Sequence, residues 1–301
     1  MVTGGLGFIG SHLTEKLVQD GHNVLIVDDE STGNINNICS IPSTKYTLCK
    51  SPIRAALGTI QDYRPEYIFH LAAWPRIQPS YLTPIEHDEN NVRETIRLIK
   101  LASKLAVKAF VYSSSSSCYG NPDPNDIPTS EHAPIRPLNP YAIQKYASEQ
   151  YVISLGRHFS VPHVALRYFN VYSPRSYNPS NPMNAYSSVV GIFNNRALNG
   201  QCLQITGDGK QTRDFIHVFD VVAANIMAMK KINLVSGQVM NVGSGRPLSV
   251  LSIASMFNVP TEFIPARSGE AICTHACIDE IVALGWKPSV TVEEAIQRGL
   301  I

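Results

Sequence analysis

Two side chains with acid–base chemistry lie four residues apart in the stretch Tyr141-Ala142-Ile143-Gln144-Lys145. On a helix this spacing places both on one face, with their Cβ atoms about 5–6 Å apart. Because a nearby ammonium favours the ionised form of a phenol, the spacing predicts that Tyr141 acts as a base near neutral pH. The same pattern also arises by accident on exposed helix faces, so it needs support from the rest of the chain.

A run of five serines, from Ser113 to Ser117, precedes Cys118-Tyr119-Gly120 and follows an apolar segment typical of a strand. Ligands of open α/β sheets bind at the carboxyl ends of the strands, which is where this run would lie. A hydroxyl there can hydrogen-bond the substrate oxygen that Tyr141 deprotonates. One serine is enough for this role, and the others can be solvated turn residues.

The chain opens with a glycine-rich stretch suited to a dinucleotide. Gly4, Gly7 and Gly10 have the spacing for a tight turn, close approach of the backbone to a pyrophosphate, and close helix packing. The helix that follows would direct free N–H groups and a positive dipole at the phosphates. Asp28 comes about 20 residues later, at the predicted end of the second strand, where an acid binds the adenosine ribose hydroxyls.

Asp28 also bears on the choice of cofactor. Its negative charge would repel the 2′-phosphate of NADP, and no arginine lies in residues 29–34 to bind that phosphate. The sequence therefore predicts NAD. The alternative is that Asp28 only caps a turn, which is a common position for aspartate.

The composition excludes several functional classes. The 301 residues carry 25 Lys and Arg against 24 Asp and Glu, so they offer no basic surplus for nucleic acid or an anionic membrane. No apolar run approaches the roughly 18 residues of a transmembrane helix. The six cysteines lack disulfide spacing and no signal segment precedes the first motif, so we expect a cytoplasmic protein.

Cys273, His275 and Cys277 form a close group of potential metal ligands. Structural zinc sites normally have four ligands. The sequence holds no second Cys/His pair to complete such a site, so we expect no bound metal.

The elements that must position these side chains follow from the periodicity. Short apolar runs alternate with amphipathic stretches of helical length, which is the pattern of a doubly wound α/β (Rossmann) fold with a parallel sheet. The predicted strands cover residues 24–27, 67–71, 109–112 and 163–168. The predicted helices cover residues 10–19, 89–105, 141–158, 187–198, 218–230 and 250–257.

After residue 171 the pattern loosens into Pro- and Asn-rich segments, which predicts a second, smaller lobe. We expect an NAD-binding domain over residues 1–171, with a later return near 216–243. Residues 172–215 and 244–301 would form the lobe that binds the substrate. Because the glycine motif begins so early, either the first strand is short or residues are missing before it.

Taken together, the motifs resemble the extended short-chain dehydrogenase/reductase family, and within it the UDP-glucose 4-epimerases and their UDP-N-acetylglucosamine-acting relatives. The resemblance runs in order over nearly the whole chain. It rests on residues 4–10, Asp28, His70-Leu71-Ala72-Ala73, residues 113–120, Tyr141 with Lys145, Arg167-Tyr168-Phe169-Asn170, Gly207-Asp208-Gly209 with Arg213-Asp214-Phe215, and Leu284-Gly285-Trp286-Lys287-Pro288. It implies bound NAD, a UDP-sugar substrate and a homodimer.

The resemblance also implies roles for individual residues. The catalytic residues would be Ser115, Tyr141 and Lys145. The cofactor would be bound by Gly4, Gly7, Phe8, Ile9, Gly10, Asp28, Asp29, Ser31, Thr32, Gly33, Ile53, Leu71, Ala72, Ala73, Asn91, Tyr141, Lys145 and Tyr168. The substrate would contact Ser115, Asn170, Arg213, Arg267 and Thr274. Guanidinium groups bind phosphate oxygens in pairs, which suits the two arginines to a diphosphate, although surface ion pairing is the alternative.

The chain departs from the family pattern on the adenine side. A stretch that usually reads Gly-Asp-Ile-Arg-Asp reads Ser51-Pro52-Ile53-Arg54-Ala55, so both acids are missing. Glu94 and Ser173 stand where the family usually has glycine, and Cys277 where it has an acid. We therefore expect looser adenine binding than is usual in the family.

The residues after Ser115 discriminate between reactions. Dehydratases of the family have an Asp-Glu pair there and decarboxylases a Glu, because loss of water or carboxylate needs further acid–base groups. Ser116 and Ser117 favour epimerisation or reduction, and the family's reductases mostly use NADPH, which Asp28 disfavours. The sequence thus predicts C4 epimerisation of a UDP-hexose through a 4-keto intermediate. The alternatives are a dehydratase, a decarboxylase, a ketoreductase or a non-catalytic NAD-binding relative.

Thr274 falls where the resemblance places the side chain beside the sugar's 2-substituent. This position is bulky and aromatic in epimerases restricted to UDP-glucose and UDP-galactose. The small threonine predicts that N-acetylated sugars are accepted too. The alternative is that Thr274 is an ordinary loop residue.

The predicted helices 89–105 and 141–158 carry apolar residues on more than one face. These are Val92, Ile96, Ile99, Ile143, Ala147 and Val152. A second covered face suggests that a partner packs there, and the resemblance implies pairing of these two helices in a homodimer.

Overall fold

The computed structural model describes residues 1–176, 188–266 and 269–301. The strands are β1 (Val2–Thr3), β2 (Val24–Val27), β3 (Tyr46–Cys49), β4 (Tyr67–His70), β5 (Ala109–Ser115), β6 (His163–Tyr168), β7 (Asn170–Tyr172), β8 (Leu203–Thr206), β9 (Thr212–His217), β10 (Gln238–Val242), β11 (Pro247–Ser249) and β12 (Thr261–Ile264). The helices are α1 (Phe8–Gln19), α2 (Ile53–Tyr63), α3 (Ile77–Leu82), α4 (Pro84–Asp88), α5 (Glu94–Leu105), α6 (Pro140–His158), α7 (Val189–Leu198), α8 (Val218–Lys230), α9 (Ile232–Val235), α10 (Val250–Ser255), α11 (Asp279–Ala283) and α12 (Val292–Gln297).

Seven strands form the central sheet in the order β10-β6-β5-β4-β1-β2-β3, and every neighbouring pair is parallel. The chain moves outward from β1 in one direction and then returns to build the other half from β4. The order therefore reverses between β1 and β4, where open α/β sheets bind their ligands at the carboxyl edge. This arrangement confirms the doubly wound α/β fold.

Helices cover both faces of the sheet, which explains why its inner strands are largely apolar. All four residues of β2 are buried. One face packs against α1 and α8, through residues such as Leu13 and Val221. The other face packs against α2, α5 and α6, through residues such as Ile60, Leu98 and Val152.

The periodicity missed several elements of this domain, among them β3 and α2. Strand β3 has no fully buried residue, because it lies at the sheet edge and lacks a continuous apolar run. Helix α2 buries only Ile53, Ala56 and Ile60. The predicted helix 89–105 also begins with a π-helical turn, Glu89–Arg93, before α5. In this sequence the first strand has two residues, and they pair with both β2 and β4.

Beyond residue 171 the described chain forms two small sheets. Strands β11, β9 and β7 make one, and β12 pairs with β8 in the other. Their core contains Tyr172, Phe193 and Phe215. Strand β10 returns to the central sheet beside β6. The division into an NAD-binding domain and a substrate-binding lobe stays a prediction.

The described residues include neither a membrane-spanning helix nor a group of metal ligands. No helix there combines the length and apolar character needed to cross a membrane. Nor do three His, Cys, Asp or Glu side chains in that part of the chain come together as a group that could hold a metal ion. Cys273, one of the three candidate ligands, instead accepts a hydrogen bond from the Thr212 hydroxyl at 3.1 Å.

Of the six apolar residues offered for dimerisation, three are buried, Ile96 and Ala147 are half-buried, and one is exposed. Val92, Ile99 and Val152 are buried in the core of the chain itself, so they say nothing about a partner. Ile143 on α6 is 54% exposed, and Leu82 of the neighbouring α3 is 83% exposed. Among the described residues, the α6 face around Ile143 is an exposed apolar surface that a partner could cover, and the homodimer stays a prediction.

We expect light scattering at micromolar concentration to give twice the chain mass of 33.1 kDa. Ile143→Glu should shift the protein toward the monomer, because a charge would be desolvated in the interface. Leu198→Glu is the matched control, since Leu198 is 79% exposed on α7, away from these helices. A wild-type monomer would contradict the prediction.

Candidate active site

A cavity of about 780 Å³ runs along the carboxyl edge of the sheet. All predicted cofactor-binding residues except Gly33 and Asn91 line it. Of the predicted substrate-binding residues, Ser115, Asn170, Arg213 and Thr274 line it, and Arg267 lies outside the described residues. One cavity therefore brings together most of the residues singled out from the sequence.

The turn between β1 and α1, residues 4–10, can be built only with glycine at two positions. Gly4 has a φ of +69°, and a Cβ there would lie 2.8 Å from the Ala72 nitrogen. A Cβ at Gly10 would lie 2.0 Å from the Gly4 oxygen. The turn thus brings bare backbone and the start of α1 to the cavity, which fits the pyrophosphate of a dinucleotide.

The carboxylate of Asp28 both closes a turn and lines the cavity. Its two oxygens accept hydrogen bonds from the backbone nitrogens of Leu6 and Glu30, at 2.9 and 2.8 Å. Burial raises the pKa of Asp28, and these two bonds act in the opposite direction. Gly33 lies behind it, because a Cβ there would be 3.0 Å from an Asp28 oxygen. Turn capping and ribose binding are therefore compatible at this residue.

We expect the wild-type protein to bind NAD more tightly than NADP, and Asp28→Ala to narrow that difference by removing repulsion of the 2′-phosphate. The ratio of the two dissociation constants measures this. Asp28→Asn is the matched variant, since it removes the charge and keeps one acceptor, and it should narrow the ratio as well. Equal affinity of the wild type for both dinucleotides would contradict the prediction.

Asn91 supports the cavity wall from behind. Its side-chain oxygen accepts from the Trp74 nitrogen at 2.7 Å, and its amide donates to Gln144 at 3.1 Å. The Trp74 indole in turn donates to the Ser31 hydroxyl at 3.2 Å, so it connects the loop after β4 with the loop after β2. Trp74 was missed in the sequence because it belongs to no motif.

The start of α6 fixes the position of Tyr141. Asn139 caps the helix by accepting from the Ala142 nitrogen at 2.9 Å, and Pro140 occupies the first turn, where its missing N–H costs nothing. The Tyr141 nitrogen donates to the Ser80 hydroxyl of α3 at 3.1 Å. These contacts direct the Tyr141 phenol toward Ser115 at the end of β5.

The charges around Tyr141 differ in part from the expectation that the Lys145 ammonium favours its ionised form. Burial raises the pKa of Tyr141, while a hydrogen bond with Ser115 and the charge of Arg76 lower it. Burial lowers the pKa of Lys145 to about 7. The Lys145 ammonium donates to the Ser113 carbonyl at 2.5 Å and lies 4.4 Å from the centre of the Tyr112 ring. Arg76, which no sequence pattern marked, is thus a second cation of this site.

A buried ion pair joins β6 to α6, the helix that carries Tyr141 and Lys145. The Arg167 guanidinium on β6 donates two hydrogen bonds to Glu149 on α6, at 2.9 and 2.6 Å. Glu149 also accepts from the Ser114 hydroxyl at 2.7 Å, and Arg167 donates to the Tyr119 hydroxyl at 2.7 Å. Ser114 precedes Ser115, so this network holds β5 and α6 in register with each other.

On the other side of the cavity, Asn170 and Thr274 are in contact. The Asn170 amide donates to the Thr274 hydroxyl at 2.9 Å, and the Asp214 nitrogen donates to the same hydroxyl at 3.1 Å. Burial lowers the pKa of Arg213, whose guanidinium donates to the Ile272 carbonyl at 3.3 Å. A cation and an amide therefore line the cavity opposite Ser115, as a diphosphate would require.

The comparisons with known proteins agree with this geometry. The model of the NAD dependent epimerase/dehydratase family matches residues 1–243. A UDP-glucose 4-epimerase of Mycolicibacterium smegmatis is 36% identical over 311 residues, which cover 99% of this chain and 96% of that protein.

Two solved structures have the same fold. The UDP-glucose 4-epimerase of Thermotoga maritima, crystallised with UDP-glucose, is 32% identical with a TM-score of 0.90, covering 98% of this chain and 95% of that one. The UDP-N-acetylglucosamine 4-epimerase of Methanobrevibacter ruminantium, in complex with UDP-N-acetylmuramic acid, is 31% identical with a TM-score of 0.89, covering 99% and 94%. The resemblance seen in the motifs is thus confirmed, and the chain belongs to the NAD-dependent epimerase/dehydratase family.

Proposed function

We propose that the protein is an isomerase that inverts C4 of a UDP-hexose, with NAD as its cofactor. The observation that carries the proposal is the meeting of Ser115, Tyr141 and Lys145 in the cavity that also holds the glycine turn and Asp28. The names of the relatives support it, since they are 4-epimerases of UDP-sugars.

Tyr141 is placed to accept the proton of the sugar's 4-hydroxyl, and Ser115 to hydrogen-bond the same oxygen. NAD, when bound, supplies the acceptor and donor of the C4 hydride. Burial holds the pKa of Tyr141 above its ordinary value, so the phenolate depends on Ser115, on Arg76 and on positive charge added to the cavity. Lys145 has a pKa of about 7, so its amine can both give up and accept a proton at neutral pH.

The residues beside Ser115 favour epimerisation over elimination. Ser116 and Ser117 line the cavity there. Loss of water or of a carboxylate would need an additional acid or base at this point, and hydroxyl groups supply neither at neutral pH. A reaction that only removes and returns one hydride and one proton needs no further group.

The proposal is tested by incubating purified protein with UDP-glucose or UDP-galactose, without added NAD, and following the sugars by NMR. We expect the two to interconvert, because a hydride that is removed and returned leaves the cofactor unchanged. Bound NAD with no conversion of any UDP-hexose would overturn the proposal and favour the non-catalytic relative.

Thr274 predicts the breadth of substrates. We expect Thr274→Tyr to lower kcat/KM selectively for UDP-N-acetylglucosamine and UDP-N-acetylgalactosamine, because a close-packed wall leaves no room for the N-acetyl group to turn over. The substitution also removes a hydroxyl that accepts two hydrogen bonds, from Asn170 and Asp214. Thr274→Val controls for that loss and should keep the ratio of acetylated to plain substrates. An equal effect of tyrosine on both pairs would contradict the prediction.

A further inference from the structure

A carboxylate that stands where the family pattern has glycine lies in the wall of the cavity. Glu94, the first residue of α5, is 1% exposed and lines the cavity together with Ser51, Pro52 and Ile53. A charged side chain is almost never buried to this extent unless its charge is paired. Both carboxylate oxygens of Glu94 are therefore expected to have hydrogen-bond donors.

The two oxygens of Glu94 have different surroundings. Oε1 accepts hydrogen bonds from Arg54 on α2 and from Arg97 on α5, both at 3.2 Å. Oε2 is buried as well, and no residue in the described part of the chain hydrogen-bonds it. A buried carboxylate oxygen without a donor is unfavourable, so its persistence calls for an explanation. The two arginines orient the carboxylate and leave Oε2 as an unused acceptor.

The location of Glu94 indicates which ligand could donate to Oε2. Asp28 follows β2 directly, and residues 51–53 follow β3, the next strand toward the sheet edge. A dinucleotide whose ribose meets Asp28 therefore extends its base toward Ile53 and Glu94. This is also the stretch in which both acids of the family pattern are missing.

We propose that Glu94 recognises the adenine of NAD, with Oε2 accepting a hydrogen bond from the 6-amino group. Adenine carries an N–H₂ donor at this position, and a carboxylate is a pure acceptor. Glu94 thereby replaces, from a different element, the acids missing from residues 51–55. Adenine is then not bound more loosely than is usual in the family, as the sequence alone suggested. It is bound by a side chain from another element.

A purely structural role, in which Glu94 joins α2 to α5 through the arginines, would explain Oε1 and not Oε2. The two roles differ in how the protein treats the base of the cofactor. Nicotinamide hypoxanthine dinucleotide differs from NAD only in the base, where a 6-oxo acceptor replaces the 6-amino donor and N1 carries a proton. Opposite a carboxylate, that change turns a hydrogen bond into repulsion.

We expect protein stripped of bound dinucleotide to bind NAD at least about tenfold more tightly than the hypoxanthine analogue, measured by calorimetry without sugar. In Glu94→Gln the side-chain amide can donate to the 6-oxo group, so the preference should fall to parity or reverse. Glu89→Gln is the matched control, because Glu89 pairs with Arg97 without lining the cavity, and it should keep the wild-type ratio.

Equal affinity of the wild type for both dinucleotides would overturn the proposal, and so would an unchanged ratio in Glu94→Gln. The ratio compares two ligands on the same protein, so a loss of stability in a variant does not imitate the expected result. Thermal unfolding of each variant verifies that it is folded. Because no sugar is present, the outcome is independent of whether the epimerase proposal holds.

Discussion

Tyr141→Phe is expected to lower kcat at least about 100-fold, because a positioned general base typically contributes 10²–10⁴-fold. The phenol touches no backbone group that the helix needs, since Asn139 and Ser80 hold the start of α6 through main-chain nitrogens. The variant should therefore fold and still bind NAD and the UDP-sugar. Steady-state kinetics together with calorimetric binding of both ligands separates these effects.

Two serine variants serve as controls for that result. Ser115→Ala should lose less activity than Tyr141→Phe, because Ser115 supports the reacting oxygen by a hydrogen bond and transfers no net charge. Ser116→Ala should lose little. Turnover like that of the wild type in Tyr141→Phe would remove the tyrosine from the mechanism, and a larger loss in Ser116→Ala than in Ser115→Ala would assign the role to the other serine.

Glu149→Gln is expected to lower the free energy of unfolding by about 3–5 kcal/mol, because it leaves the Arg167 guanidinium buried without its charge partner. The side chains of this pair are 4% and 0% exposed, so water cannot replace the lost interaction. Urea-induced unfolding measures the change. Activity should fall as well, since the same carboxylate holds Ser114 beside the catalytic serine.

The exposed ion pair between Glu66 and Lys108 provides the matched comparison. Its side chains are 62% and 63% exposed, and such pairs contribute little to stability because water screens them. Glu66→Gln should therefore leave the urea concentration at the unfolding midpoint almost unchanged. Similar losses in Glu66→Gln and Glu149→Gln would show that burial does not decide the strength of these pairs.

The central sheet could be predicted from the sequence where strands are buried on both faces. Residues 24–27 and 163–168 form strands with the predicted bounds, because continuous apolar runs mark such strands. Strand β3 could not be predicted in this way, since the sheet edge leaves it half exposed. Its four residues include no continuous apolar run, so in the sequence the strand looks like a loop.

The candidate site likewise contains residues that the sequence could predict and residues that it could not. The glycine turn, Asp28 and the Tyr141–Lys145 spacing are local patterns, and they can be read from neighbouring residues. Arg76 and Glu94 depend on contacts between elements far apart in the chain. Glu94, for example, lies 40 residues from its partner Arg54. No local pattern encodes such a pairing, so only the folded chain shows what these side chains face.

The Trp74 indole bond to Ser31 joins the loop after β4 to the loop after β2, and both loops line the cavity. Residues 74–76 lead directly into α3, and the Ser80 hydroxyl of α3 accepts a hydrogen bond from the Tyr141 nitrogen. One chain of contacts therefore connects the glycine-turn side of the cavity to the start of α6, so the wall at that side and the position of Tyr141 share one support.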